Sequence, residues 1–297
     1  MPSLDLFESL IDYQNNHLRL RNYAAATRRG YLADQLLFVR FLKAHYGASR
    51  ATEVERRHVV DYLTQTERRG ARGATIARKL AALRSFFGYL EEDGRITSSP
   101  CRGILPPKKE SAQPRVLSQA EYARLKTAAA PDPRGRAIVE LFLQTGIRLS
   151  EAAKLRVEDI ALPLAEGLPS IGSLRVWGKG RKERVITLNS KACTALSAYL
   201  PDHPNDRRRG PLFISRYGKA LTPRSVQRII AKLAQVAGVP NVSAHTLRHT
   251  FATHTVRKGT NLRVVQEALG HSSLQTTSRY VSLARELMDE QLEANAL

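Results

Sequence analysis

Residues 245–280 read HTLRHTFATHTVRKGTNLRVVQEALGHSSLQTTSRY. The apolar residues of this stretch recur at helical spacing, not in alternation, so two consecutive helices are expected here. The second has Asn261 as its N-cap, Leu262, Val265 and Leu269 facing inward, and Gly270 at its C-terminal cap. His245 and Arg248 are three residues apart, which puts both on one helix face. His271 follows the capping glycine, and Tyr280 ends the segment.

The rest of the second half extends the same helical character. PRSVQRIIAKLAQVAGV (223–239) is helical, and RGRAIVELFLQTG (134–146) reads as a buried helix. LSQAEYARLKTAAA (117–130) opens with Ser118 as N-cap and Glu121 three residues on, a capping box. Strand character is confined to SLRVWGKGRKERVITL (173–188): Leu174 and Val176 alternate on one side, then Val185 and Thr187 follow a Gly-Lys-Gly turn. The first hundred residues read as a small helical bundle. A first helix is expected over 4–18, and a second over 27–47, starting at Thr27 and ending at Gly47. A third ends at Gly70, and a fourth carries Ile76, Leu80, Leu83, Phe86 and Leu90 as its inward stripe. Arg78, Lys79 and Arg84 are expected to project away from that stripe toward DNA. ILPPKKESAQPRV (104–116), with prolines and charges and no periodicity, reads as a linker. The fold class is therefore mainly α (α+β): a four-helix domain over 1–103, the linker, and a mostly helical domain with a small β-hairpin over 117–297.

Composition narrows the partner. The chain has 297 residues and a formal charge of +20, from 47 Lys and Arg against 27 Asp and Glu. The basic residues are interleaved with apolar ones along the chain, which suits a folded surface that tracks nucleic acid. Cys101 and Cys193 show no metal-ligand spacing and read as reduced, incidental thiols. The acidic N-terminal stretch does not resemble a signal peptide, and no apolar run is long enough to span a bilayer. A cytoplasmic protein without membrane contact is expected.

The residues that carry chemistry suit attack on a phosphodiester without a metal. Such a site needs fixed cations aimed at the non-bridging oxygens, a nucleophile, and a proton donor for the departing oxygen. Arg148 lies in QTGIRLSEAAKL, where Gly146 permits close backbone approach and Glu151 can brace the guanidinium from behind. Taken alone, Arg148 and Glu151 are an ordinary helix pair, and Tyr280 is one of ten tyrosines. Lys179, in the hairpin turn, lacks the spacing of a nucleotide-binding loop; it reads either as a solvated basic turn or as a lysine carried to a leaving oxygen. Arg181 and Lys182 extend that basic turn and are expected to contact DNA. His245 and His249 have a metal-ligand spacing, but Arg248 between them would repel a cation and no general-base Glu is present. No segment offers the paired carboxylates of two-metal nucleases. Neither a metal nor another cofactor is expected.

Together, TGIRLSE, GKGRKER, HTLRH, LGHSS and the terminal Tyr280 resemble the tyrosine recombinase (phage integrase) family, most closely its compact Xer-type members. The order and rough spacing of these elements match along nearly the whole chain. The resemblance implies a SAM-like core-binding domain at the N-terminus and a catalytic domain after the linker. It implies that Arg148, His245 and Arg248 hold the scissile phosphate and that His271 completes the pocket. It makes Lys179 the general acid and Tyr280 the nucleophile of a 3′-phosphotyrosyl intermediate. It also implies a double-stranded recombination site, a Holliday-junction intermediate, and tetramers of this chain alone or with a paralogous recombinase. The tail after Tyr280, with Leu283, Leu287 and Leu292, is expected to form a helix that docks on a neighbouring protomer. Two features depart from the family pattern: ALPLAEGLPSIG (161–172) is long, and Val-Ser follows Tyr280. A type IB topoisomerase and a non-catalytic DNA-binding protein remain as rival readings of the same residues.

Overall fold

The computed structural model describes residues 5–21, 23–108, 115–162, 171–178, 183–200 and 209–270. The chain divides into two compact units, Met1–Ala112 and Gln113–Leu297.

The first unit is helical: α1 (Leu6–Asp12), a π-helical turn (Tyr13–His17), α2 (Leu18–Leu20), α3 (Ala25–Tyr46), α4 (Arg56–Arg68) and α5 (Gly73–Glu92). The expected single helix over 4–18 is broken by the π turn, and the burial pattern explains why. Leu6, Leu10, Tyr13 and Leu18 are all buried, and the last two lie five residues apart. An α-helix would swing residue 18 off the face of residue 13. The wider turn, with Leu18 N–H bonded to the Tyr13 carbonyl, returns it to that face. Tyr13 then donates from its hydroxyl to Ser85 Oγ at 2.6 Å. Helix α3 begins before the expected Thr27, at Ala25, and stops at Gly47, which adopts φ +64°. The expected stripe on α5 is buried as read.

One expectation for α5 fails. Lys79 does not project from the bundle; it is 7% exposed, with Nζ 3.2 Å from Asp34 Oδ1 and 2.9 Å from the Tyr62 hydroxyl. Position 79 neighbours Leu80 and Leu83 on the helix, so the inward face is wider than the apolar stripe alone. Burial of Asp34 requires a paired cation, and Lys79 supplies one. Arg78 is exposed and also pairs with Asp34, and exposed Arg84 donates to the Ile104 carbonyl. Ile104, read from sequence as the start of the linker, is buried in this unit's core.

The second unit contains α6 (Gln119–Ala129), α7 (Pro133–Thr145), α8 (Leu149–Ala152), α9 (Ser190–Tyr199), α10 (Pro223–Val236), α11 (Ala244–Arg257) and α12 (Leu262–Leu269). It also has β1 (Ile160–Ala161), β2 (Gly172–Trp177) and β3 (Glu183–Leu188), antiparallel in the order β1-β2-β3. The capping box at Ser118 and Glu121 is present. Helix α7 is buried on nearly every side, with Ile138, Val139, Leu141 and Phe142 at 1% exposure or less. The strand faces require a correction. Leu174 and Val176 point inward, but their partners are Ile186 and Arg184, and Val185 is 67% exposed. Directly paired residues share a face of the sheet, so the inward set on β3 is the even-numbered one. That register carries Arg184 into the protein.

Candidate active site

Helix α7 ends at Gly146, which takes φ +61°. A Cβ there would stand 2.4 Å from Phe251 Cδ1 and 2.7 Å from Leu269 Cδ2, so both conformation and space require glycine. The chain turns at once into Arg148, the N-cap of the short helix α8. Glu151, on that helix, is 6% exposed and folds back: Oε2 accepts from the Arg148 backbone N–H at 3.0 Å, and Oε1 from Arg148 Nη1 at 2.8 Å. Burial pushes the Glu151 carboxyl up, but hydrogen bonds from Arg184 and Arg148 outweigh it and hold its pKa below the usual carboxylate value. The acid therefore stays charged at neutral pH.

Helix α11 contributes the next groups. Ser243 caps it, accepting from the Thr246 N–H. Arg248 is 7% exposed, with Nη1 donating to the Gly146 carbonyl and Nη2 to the Leu269 carbonyl, the latter at 2.8 Å. His245 lies one turn earlier on an exposed part of the helix, with Nε2 2.8 Å from His249 Nε2. One ring must donate and the other accept in that contact. His254 reaches the Leu117 carbonyl at 3.0 Å.

Helix α12 is docked on α11 through Ala252, Val256, Val265 and Leu269. Its last carbonyls, which no helical N–H can satisfy, are taken by arginines. Arg184 Nε donates to Ala268 at 3.3 Å, Arg248 to Leu269, and Arg148 Nη2 to Gly270. Cations suit the negative end of a helix dipole. Arg148, Arg184 and Arg248 thus converge from α8, β3 and α11 on the end of α12, and among the described residues Glu151 is the carboxylate paired there, with Arg148 and Arg184. Three guanidiniums around one carboxylate leave a local excess of positive charge, which suits an anion. It directly precedes residue 271.

Of the residues singled out from sequence, Arg148, Glu151, His245 and Arg248 belong to this locus or flank it. Lys179, Arg181, Lys182, His271 and Tyr280 lie outside the described residues, as do the 283–292 tail leucines and most of the long 161–172 stretch. Arg184 was missed. A signal for it exists: if Ile186 and Leu188 face inward, alternation puts Arg184 inward as well, and an inward arginine demands a buried partner.

Residues 115–286 match the model of the phage integrase family, and residues 10–94 match the phage integrase N-terminal SAM-like domain. The chain belongs to the phage integrase family. It is 36% identical over 283 residues to tyrosine recombinase XerC of Syntrophus aciditrophicus (strain SB), spanning 89% of each chain. It is 31% identical over 275 residues to tyrosine recombinase XerD of Listeria monocytogenes serotype 4b (strain F2365), spanning 89% of this chain and 90% of that one. Among solved structures, XerH site-specific recombinase in a post-cleavage complex with palindromic difH substrate aligns with a TM-score of 0.73 at 23% identity, over 96% of this chain and 87% of that one. A lambda integrase tetramer bound to a Holliday junction aligns with a TM-score of 0.71 at 20% identity, over 92% and 76%. The enzyme is thus a tyrosine recombinase, and its activity is site-specific DNA recombination; the topoisomerase and non-catalytic readings are not favoured.

Proposed function

We propose that the arginine locus at the end of α12 binds the scissile phosphate of a double-stranded recombination site. The observation that carries this reading is the convergence of Arg148 and Arg248 on the α12 C-terminus, above the buried carboxylate of Glu151. Arg148 keeps part of its side chain open, at 36% exposure, and its fork geometry suits two phosphate oxygens. His245 adds a ring nitrogen one turn before Arg248, and His271 completes the pocket from the segment after Gly270.

In this mechanism the Tyr280 hydroxyl gives its proton to water, the nearby cations favouring the phenolate, as its oxygen attacks phosphorus. A phosphorus–oxygen bond forms to tyrosine as the bond to the 5′ oxygen breaks, and Lys179 protonates that oxygen. Charge accumulating on the non-bridging oxygens is met by fixed guanidiniums, so no metal is called for. The 3′-phosphotyrosyl link conserves the bond energy, and a 5′ hydroxyl from the partner duplex reverses the step without ATP. Two such rounds pass through a Holliday junction. The first domain, residues 1–103, and the catalytic domain, 117–297, each grip the duplex, with 104–116 as the linker. The multimer on DNA is a tetramer, joined by the tail after Tyr280, and it works in the cytoplasm. The solved relative on a Holliday junction is a tetramer, which supports that assembly.

A nicked suicide duplex tests the chemistry, because loss of the short 5′ fragment traps the covalent adduct. The wild-type chain is expected to form it in the presence of chelator, and Tyr280→Phe is expected to form none. An adduct that persists in Tyr280→Phe, or that needs a divalent ion, contradicts the mechanism.

A further inference from the structure

Arg184 was absent from the site read out of the sequence, yet it holds the buried Glu151 through two parallel bonds. It takes both oxygens of Glu151, with Nη1 2.9 Å from Oε1 and Nη2 2.8 Å from Oε2. Arg148 reaches Glu151 with one side-chain nitrogen, at 2.8 Å. The two guanidiniums also differ in exposure: the Arg184 side chain is 16% exposed and that of Arg148 36%. The deeper arginine is the support, and the more open one faces the solvent side of the site.

Arg184 has a second attachment. Its Nε donates to the Ala268 carbonyl, and the α carbon of Gly270 lies against the guanidinium so closely that a Cβ would stand 2.9 Å from Cζ and Nη1. Arg148 shares Glu151 with Arg184 and donates to the carbonyl of Gly270, the residue packed against the Arg184 guanidinium. From β3, one rigid planar group therefore fixes both things that Arg148 touches. A lysine has three donors on one nitrogen but no planar fork, so it cannot match the two carboxylate oxygens and the helix carbonyl in this geometry.

We propose that Arg184 is a positioning residue for phosphoryl transfer, orienting Arg148 through Glu151 and the C-terminus of α12. The inference rests on the reading of Arg148 as a phosphate ligand. It assigns Arg184 no contact with DNA. Local charge does not depend on it alone, since Arg148 and Arg248 remain when it is removed; what is lost is geometry, and misplacement of a binding group slows a reaction more than it weakens binding.

The test uses the full chain and the nicked suicide duplex under single-turnover conditions, with Arg184→Lys, Arg184→Gln, Glu151→Gln and the Glu151→Gln/Arg184→Gln double variant. Both Arg184 variants are expected to slow adduct formation roughly 10- to 100-fold. The DNA concentration for half-maximal rate is expected to change less than about threefold. In the Glu151→Gln background, Arg184→Gln is expected to add less than about a threefold further loss, because both substitutions break one chain of contacts. A duplex with a 5′-bridging sulfur, whose thiolate departs without a proton, is expected to leave the Arg184 defect in place. Arg184→Lys, which keeps the charge, carries the test if Arg184→Gln does not fold. Wild-type rates in Arg184→Lys overturn the proposal. So do an undiminished effect in the Glu151→Gln background and rescue by the bridging sulfur, which would place Arg184 with the general acid. Failure of the wild-type chain to form any adduct would instead overturn the phosphoryl-transfer reading beneath it.

Discussion

At the scale of single residues, Glu151 is the pivot of the site, a 6%-exposed acid shared by Arg148 and Arg184. Its folded pKa is depressed below 4.5, so its contribution to stability is present above the unfolded value and lost as pH falls through the folded one. The rate of adduct formation is accordingly expected to show no acid limb from Glu151 between about pH 5 and 7, measured as a pH profile on the suicide substrate. Glu151→Gln leaves two arginines without their counter-charge and is expected to cost about 3 kcal/mol in urea unfolding. A loss below about 0.5 kcal/mol would mean the carboxylate is dispensable. Gly146→Ala forces a side chain into φ +61° and onto Phe251 and Leu269. It is expected to destabilise the second unit by more than about 1 kcal/mol, read from the same unfolding curves.

At the scale of elements, sequence patterning located most of the longer helices because their inward stripes are apolar, though α9 was not read. Ile76, Leu80, Leu83, Phe86 and Leu90 were legible for that reason, as were Val265 and Leu269 on α12. What escaped was polar and inward-facing. Lys79 sits beside the apolar stripe of α5, and only its burial with Asp34 distinguishes it from a surface lysine. Arg184 was hidden inside a basic turn sequence, where every neighbour looked like a solvated charge. The π turn of Tyr13–His17 leaves no mark in composition; it appears only as a five-residue gap between buried side chains. The pairing at Lys79 makes a prediction about the bundle. Lys79→Met is expected to cost roughly 2 kcal/mol of stability, and to leave the slope of log binding constant against log salt unchanged. A fall in that slope by about one would instead make Lys79 a phosphate contact.

For the whole molecule, the charge of +20 is spread through both units' sequences and sets the physics of encounter with DNA. Binding to a duplex is expected to weaken by roughly a thousandfold between 50 and 200 mM salt, measured by fluorescence anisotropy; a flat salt response would remove polyanion binding as the purpose of that charge. Charge alone names no chemistry. The family was legible because five short motifs occur in order along the chain, and Arg148 and Arg248 were singled out because they sit inside those motifs. The contacts among them were not: Arg148 and Arg248 are brought together by the end of α12, through carbonyls that carry no side-chain signal.

The central claim is that Tyr280 attacks the phosphate held at this arginine locus. The most direct measurement is to trap the adduct on a suicide duplex in chelator, digest it with protease and nuclease, and locate the nucleotide by tandem mass spectrometry. A single modified peptide with a 3′-linked nucleotide on Tyr280 is expected. A nucleotide on any other residue, a 5′ linkage, or no covalent product from active protein would contradict it.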